Sequence, residues 1–430
     1  MNSDLPPWEP AAMISREEII KTDKAVRELP DLRIAAREDI FRIKALGMDW
    51  DIGAMIYEPE DRTKIAVGPD GKKAGIFLLH GGVSDYQDLD GLARLLAGKF
   101  GFKTASMTFP GRLYLLDPSR DWPGDTLNPD GTGRTPLWTK ETAIGPEQYT
   151  IVRDISKRKH YGTIISLQAK EGTEFYDRLA AWPAAFDEAM RETCRRHLPA
   201  DQYAIYVHGH STGGPFAMIA AQRVANIRGI IGYGTSTFGY MYPLADRGTW
   251  DAPFNSLRMR TWADTARYVH EGIKDKGYGL PLQMELVFEQ WEIDRKRPNF
   301  KAEDIIHKNG VRALAEAARV TARRLAMTPE ETEALVRKFV GYCRELSGPD
   351  VKPVPSFLSV HGIDDDTVGI DHARRILPLF ASLQPAPKVR NVLLGAGVHL
   401  WTYSDGDLPE GIIPTVVKLW HESIMAGYFI

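Results

Sequence analysis

The sequence predicts an α/β protein with a mostly parallel central sheet covered by helices on both faces. Three observations predict it. Short apolar runs such as Ala74-Gly75-Ile76-Phe77-Leu78-Leu79 are bounded by turn residues, as suits strands buried on both sides. These runs alternate with segments whose apolar residues recur at helical spacing, the signature of parallel β-α-β units. A length of 430 residues, 43% of them hydrophobic and 26% charged, allows one large core and a sizeable insertion.

Residues 1–45 are mostly polar and helix-prone, with Glu17, Glu18, Lys21 and Lys24 alternating in sign, and read as an N-terminal helical extension. Residues 46–234 form the first part of the core. Two strands ending near Ala54–Tyr57 and a turn at Gly68-Pro69-Asp70-Gly71 lead into the run at Ala74–His80. Leu89, Leu92, Ala93, Leu95 and Leu96 then recur at helical spacing, and Lys103–Phe109 reads as the next strand. From Pro110 to about Glu171 the alternation breaks in a stretch rich in Gly, Pro, Asp and Trp. It is too long for a simple connection and reads as an excursion flanking a functional site.

Order returns with a helix through Phe175, Leu179, Trp182, Phe186 and Met190, a strand at Tyr203–His208, a helix through Phe216–Ala221 and a strand at Arg228–Tyr233. Residues 235–350 read as an inserted helical cap. One helix start is well marked there: Thr328-Pro329-Glu330-Glu331 supplies a capping residue, a proline at the first helical position and a capping-box glutamate. Residues 351–430 complete the core with strands at Ser356–His361 and Val389–Leu394, a helix near His372–Leu383 and a closing helix after Gly411.

Fifty-four basic and 57 acidic side chains leave a formal net charge of −3, which does not suit a nucleic-acid partner. The run Lys157-Arg158-Lys159-His160 is short enough to be a solvated loop. Cys194 and Cys343, the only cysteines, form no disulfide framework and have no metal-ligand spacing. No basic region followed by an apolar run opens the sequence, and no stretch approaches the roughly 18 apolar residues of a membrane span. A cytoplasmic location without a membrane span is the expectation. The oligomeric state is left open.

Gly209-His210-Ser211-Thr212-Gly213 fits the pattern G-x-S-x-G. The pentapeptide alone is a weak signal; its setting strengthens it. A buried strand runs into it and a helix rich in small residues runs out, with Pro215 in the first turn. Such a bend forces the serine into strained dihedrals and lifts its hydroxyl clear of the sheet. The new helix also turns its positive end toward that hydroxyl.

With these features the chain resembles the α/β-hydrolase superfamily of esterases, lipases and thioesterases, over about residues 50–110, 170–235 and 355–425. The resemblance implies an α/β-hydrolase fold and a triad in the chain order serine, acid, histidine. Superfamily members commonly show glycine, two residues, aspartate, two residues and an aliphatic residue after a late strand; Gly362, Asp365 and Val368 match that phase. Asp364 and Asp366 are rivals one position away. The base is expected past the final strand, where His399 follows Gly395-Ala396-Gly397; His372 comes too early and His421 too late. The resemblance places oxyanion donors at the backbone N–H of Thr212 and of Gly82, within His80-Gly81-Gly82-Val83.

The implied chemistry is acyl transfer from a small-molecule carboxylic ester or lactone of moderate size through an acyl-enzyme on Ser211, with neither metal nor organic cofactor required. Serine at the elbow speaks against dehalogenase and epoxide hydrolase chemistry, which uses aspartate there. C–C bond hydrolysis, thioester hydrolysis or acyl transfer on the same triad is the alternative, and a catalytically silent binding protein is a third class. Tyr240, Tyr242, Trp250, Trp262, Tyr268 and Trp291 of the cap suit a pocket lining and a cap core equally.

Overall fold

The computed structural model describes residues 12–45, 47–81, 85–114, 137–154, 164–170, 173–211, 213–235, 322, 326–340, 352–365, 387–399 and 411–430. Eleven strands and six α-helices are found among them. The strands are β1 (Ala12–Ile14), β2 (Ile34–Ala45), β3 (Met48–Pro59), β4 (Lys73–Leu79), β5 (Lys103–Met107), β6 (Tyr149–Asp154), β7 (Ile164–Ala169), β8 (Tyr203–Gly209), β9 (Ile227–Tyr233), β10 (Ser356–Gly362) and β11 (Val389–Leu394). The helices are α1 (Arg16–Glu28), α2 (Asp90–Phe100), α3 (Glu174–His197), α4 (Gly213–Arg223), α5 (Pro329–Val340) and α6 (Ile413–Met425).

Nine strands form one sheet in the order β1-β11-β10-β9-β8-β4-β5-β3-β2. Only β3 runs against the others, pairing antiparallel with β5 and β2. The central strands β4 and β8 are buried almost throughout, as their unbroken apolar composition predicts. Side chains alternate between the two faces. Ile76 and Leu78 of β4, Tyr206 of β8, Ile231 of β9 and Val360 of β10 share a core with Leu92 and Leu96 of α2 and Val416, Val417 and Trp420 of α6. The opposite face of the sheet packs on α3 and α4, where Phe186 and Phe216 lie 4.7 Å apart between ring centres and both face Phe109. The mostly parallel sheet with helices on both faces matches the predicted class.

Two stretches differ from the sequence reading, and a third begins as that reading marks it. Residues 1–45 supply more than a helix: Ala12–Ile14 pairs with β11, and Ile34–Ala45 is a long edge strand beside β3. The edge position explains the polarity of β2, since Arg37, Glu38, Asp39, Arg42 and Lys44 keep a sheet margin from recruiting another chain. Within the excursion, β6 and β7 pair as an antiparallel hairpin. Its two described flanks are held at Asp51 of β3, whose carboxylate accepts from the Tyr114 hydroxyl at 2.9 Å and the Lys140 N–H at 3.0 Å. In the predicted cap, α5 begins at the marked capping box: Thr328 Oγ1 accepts from Glu331 N at 3.2 Å while Glu331 Oε2 accepts from Thr328 N at 2.8 Å. Most of the cap, its six aromatic residues, the basic run 157–160 and the helix predicted at 372–383 lie outside the described residues.

The chain visits β5 from β4 in one direction and β9, β10 and β11 from β8 in the other. The sheet order therefore reverses between the neighbours β4 and β8. In open parallel sheets a crevice forms at the carboxyl ends of strands at such a point, because the loops leave to opposite sides. The loops leaving β4 and β8 are His80-Gly81 and His210-Ser211.

Candidate active site

Ser211 occupies the bend between β8 and α4 with φ of 52°, one of two non-glycine residues among those described with positive φ. The left-handed conformation costs an L-residue about 1–2 kcal/mol, so surrounding structure must hold it. Several backbone bonds do. His210 N donates to Leu79 O at 3.1 Å, Ser211 N to Gly234 O at 2.9 Å, Gly213 N to His210 O at 2.7 Å and Gly214 N to Ser211 O at 2.9 Å. Glycine is obligatory on either side of the bend. A Cβ on Gly209 would strike the Gly213 backbone, and one on Gly213 would lie 2.7 Å from the His80 carbonyl oxygen.

His399 stands five residues past β11, in a loop that includes Gly397 at φ of 125°. Its Nδ1 lies 3.0 Å from Asp365 Oδ2, and both residues are buried. The acid turn is tied to the end of β11 through Ile363 N, which donates to Leu394 O at 3.1 Å. Asp364 is exposed beside the buried Asp365, and Asp366 lies outside the described residues. An Nδ1–H donating to a carboxylate leaves Nε2 as the basic nitrogen of a neutral ring.

Gly234, just past β9, brings these parts together. Its carbonyl accepts from Ser211 N, and a Cβ built on it would sit 3.3 Å from both Asp365 Oδ2 and His399 Nδ1. The loop after β4 closes another side: a Cβ on Gly81 would lie 3.3 Å from Ser211 Cβ. His80, fully buried, packs its ring on Phe109 with centres 3.9 Å apart. Gly82 and Thr212, the donors expected from the sequence, lie outside the described residues. His421 lies on α6 against Phe100 and Phe102, away from this cluster.

Two participants carry no signal in the sequence that singles them out. His210 is the variable position of the pentapeptide, and Tyr233 the end of a strand. The Tyr233 hydroxyl donates to Val398 O at 2.8 Å, and burial, reinforced by the Asp365 charge, raises its pKa so that it stays a donor. His210 is held well below the ordinary histidine range, first by burial and then by repulsion from His399. His361, on β10 beside the acid turn, is pushed down to about 4 by burial. A rigid bend, a buried histidine–carboxylate pair and neutral neighbours make a site able to take a proton without placing a second positive charge beside it.

Sheet, elbow and late acid–histidine pair together define the α/β-hydrolase fold class. No family model matches the chain, and no curated protein matches it. Among solved structures it is similar to an acylaminoacyl peptidase of Pyrococcus horikoshii, with 13% identity and a TM-score of 0.40. That match covers 94% of this chain but only 42% of the peptidase, so the chain spans less than half the length of that protein. It is similar to the thermophilic esterase Est2 of Thermogutta terrifontis, with 12% identity, a TM-score of 0.39, and coverage of 91% and 95% of the two chains. A thermostable esterase of Pseudomonas putida matches at 13% identity and a TM-score of 0.38, with coverage of 96% and 88%. Likenesses this distant do not bear on activity.

Proposed function

We propose that the protein is a serine hydrolase that cleaves a carboxylic ester or lactone of moderate size through an acyl-enzyme on Ser211. The observation that carries this reading is the juxtaposition of a serine at φ of 52° with a buried His399–Asp365 pair across Gly234. His399 Nε2 takes the hydroxyl proton as Ser211 Oγ attacks the carbonyl carbon, and Asp365 holds the ring in the required tautomer and stabilises the imidazolium. The carbonyl oxygen becomes an alkoxide beside the positive end of α4, and the backbone N–H groups assigned to it in this proposal are those of Gly82 and Thr212. Collapse breaks the ester C–O bond, and His399 returns the proton to the leaving alcohol. Water, deprotonated by His399, then adds to the acyl-serine and releases the acid and the serine hydroxyl.

A panel of p-nitrophenyl esters of graded acyl length, run beside lactones, thioesters and vinylogous diketones, tests the reading. Ester or lactone turnover that Ser211→Ala lowers at least 10⁴-fold is the expected result, on the order of the loss when such a nucleophile is removed. Turnover confined to thioesters or diketones would move the substrate class. Ester turnover that survives Ser211→Ala would contradict the mechanism.

A further inference from the structure

The imidazole next to the nucleophile touches both loops that the chemistry depends on. His210 is buried, and its Nε2 lies 3.0 Å from the carbonyl oxygen of His399. The two imidazole rings stack with centres 4.7 Å apart and planes 26° from parallel. On its other edge His210 Nδ1 faces the loop after β4, since a Cβ on Gly81 would lie 3.1 Å from it. A carbonyl oxygen only accepts, so Nε2 carries the hydrogen and, in a neutral ring, Nδ1 is an acceptor.

The loop carrying His399 needs such a hold. Gly395-Ala396-Gly397 precedes it, and Gly397 has a φ of 125° that no ordinary side chain favours. Two consecutive carbonyls of this loop are gripped by side chains from elsewhere in the chain: Val398 O by the hydroxyl of Tyr233, at the end of β9, and His399 O by Nε2–H of His210, in the bend just past β8. Asp365 fixes the far side of the ring at Nδ1. The backbone from which the His399 side chain springs is thus set by the bend after β8 and the end of β9 together.

We propose that His210 is a positioning residue that latches the His399 loop to the serine elbow and so sets the path of proton transfer between Ser211 and His399. It acts through His399, as a hydrogen-bond donor to the backbone and as a flat surface beneath the ring. The role rests on the protein being a serine hydrolase. Because reacting atoms must be held within a fraction of an ångström, loosening this latch lowers turnover more than binding.

His210→Phe keeps a flat ring and removes the donor; His210→Gln keeps a donor amide. Steady-state kinetics on the best wild-type ester, thermal melting and the rate of phosphonylation by a fluorophosphonate are measured for both. Expected are a kcat lowered about 30-fold in H210F with KM within about three-fold, phosphonylation slowed in parallel, and recovery in H210Q to within about five-fold of wild type. Wild-type kcat in a folded H210F, or an H210Q as poor as H210F, would overturn the latch. Should H210F fail to fold, Tyr233→Phe releases the neighbouring carbonyl: lowered kcat with unchanged KM is expected, and unchanged kcat would overturn it. A wild-type protein that neither turns over esters nor reacts with the fluorophosphonate would overturn the hydrolase reading itself, and the latch with it.

Discussion

Two parts of this molecule bury ionisable groups, and they do so on opposite terms. Where α3 ends against β2, β3 and β5, charges are buried by mutual pairing. Lys103 Nζ lies 3.1 Å from Glu58 Oε2, the exposed Arg62 reaches Glu58 at 3.5 Å, and Arg196 Nη1 lies 3.6 Å from Asp39, whose carboxylate also faces the neutral His197 at 3.1 Å. At the carboxyl ends of β4, β8 and β10 the described side chains are mainly histidines, and Asp365 is the carboxylate that meets His399. The first region uses its charge to hold strands together, so its removal is a matter of stability. The second sets the neutral rings of His210 and His361 near one base, with the buried Arg112 guanidinium 3.4 Å from His80, so its removal is a matter of turnover.

The largest effect is expected at the acid. Asp365→Asn keeps the shape of the side chain but favours the wrong imidazole tautomer, and kcat on the best ester falls on the order of 10³–10⁴-fold with the melting temperature little changed. Glu58→Gln is the counterpart. It leaves the Lys103 ammonium, already pulled below its ordinary value by burial, without its closest carboxylate, and lowers unfolding free energy by about 3 kcal/mol in urea titrations. Turnover per folded molecule is unchanged in Glu58→Gln. Loss of turnover at Glu58, or loss of stability alone at Asp365, would erase the distinction between the two regions.

Both regions share an acid liability that sharpens the comparison. Burial holds His208 and His361 at about 4, and holds His197 at about 4 despite the nearby Asp39 carboxylate. Each binds its proton more readily in the unfolded chain, near 6.5. The neutral folded form is therefore fully favoured above pH 6.5, and stability is lost as pH falls from 6.5 to 4. For the fully buried His208 this amounts to about 3 kcal/mol across that window. Urea midpoints at pH 7, 5.5 and 4 should fall steadily; a midpoint flat from 7 to 4 would refute the account. The smallest effect is expected at the exposed pair Lys418–Glu422 on α6, where Lys418→Ala costs about 0.5 kcal/mol or less.

The same physics decides how much of the molecule was legible in the sequence. Strands buried for most of their length are dominated by apolar residues between turn signals, so β4, β8, β9, β10 and β11 stand out within a residue or two. The edge strand β2 was hidden because Ile34–Ala45 alternates apolar and charged residues in a pattern that also suits a helix, and only its place beside β3 decides. The hairpin β6–β7 was masked by the glycine, proline and aspartate around it. Ser211 was legible because strand, bend and helix constrain one another locally. The pairing of Asp365 with His399 was legible only through chain order; burial of Asp365 and exposure of Asp364 separate two neighbours that spacing leaves a single step apart. His210 was invisible as a functional group, since its partners, Gly81 and His399, lie 129 and 189 positions away in the chain.

The central claim is that Ser211 is a nucleophile activated by His399. Mass spectrometry of the intact protein after treatment with a fluorophosphonate, combined with peptide mapping, tests it most directly. One adduct per chain on Ser211, formed at least 100-fold more slowly in His399→Ala, is the result expected. An unmodified protein, or an adduct on another residue that persists in Ser211→Ala, would contradict it.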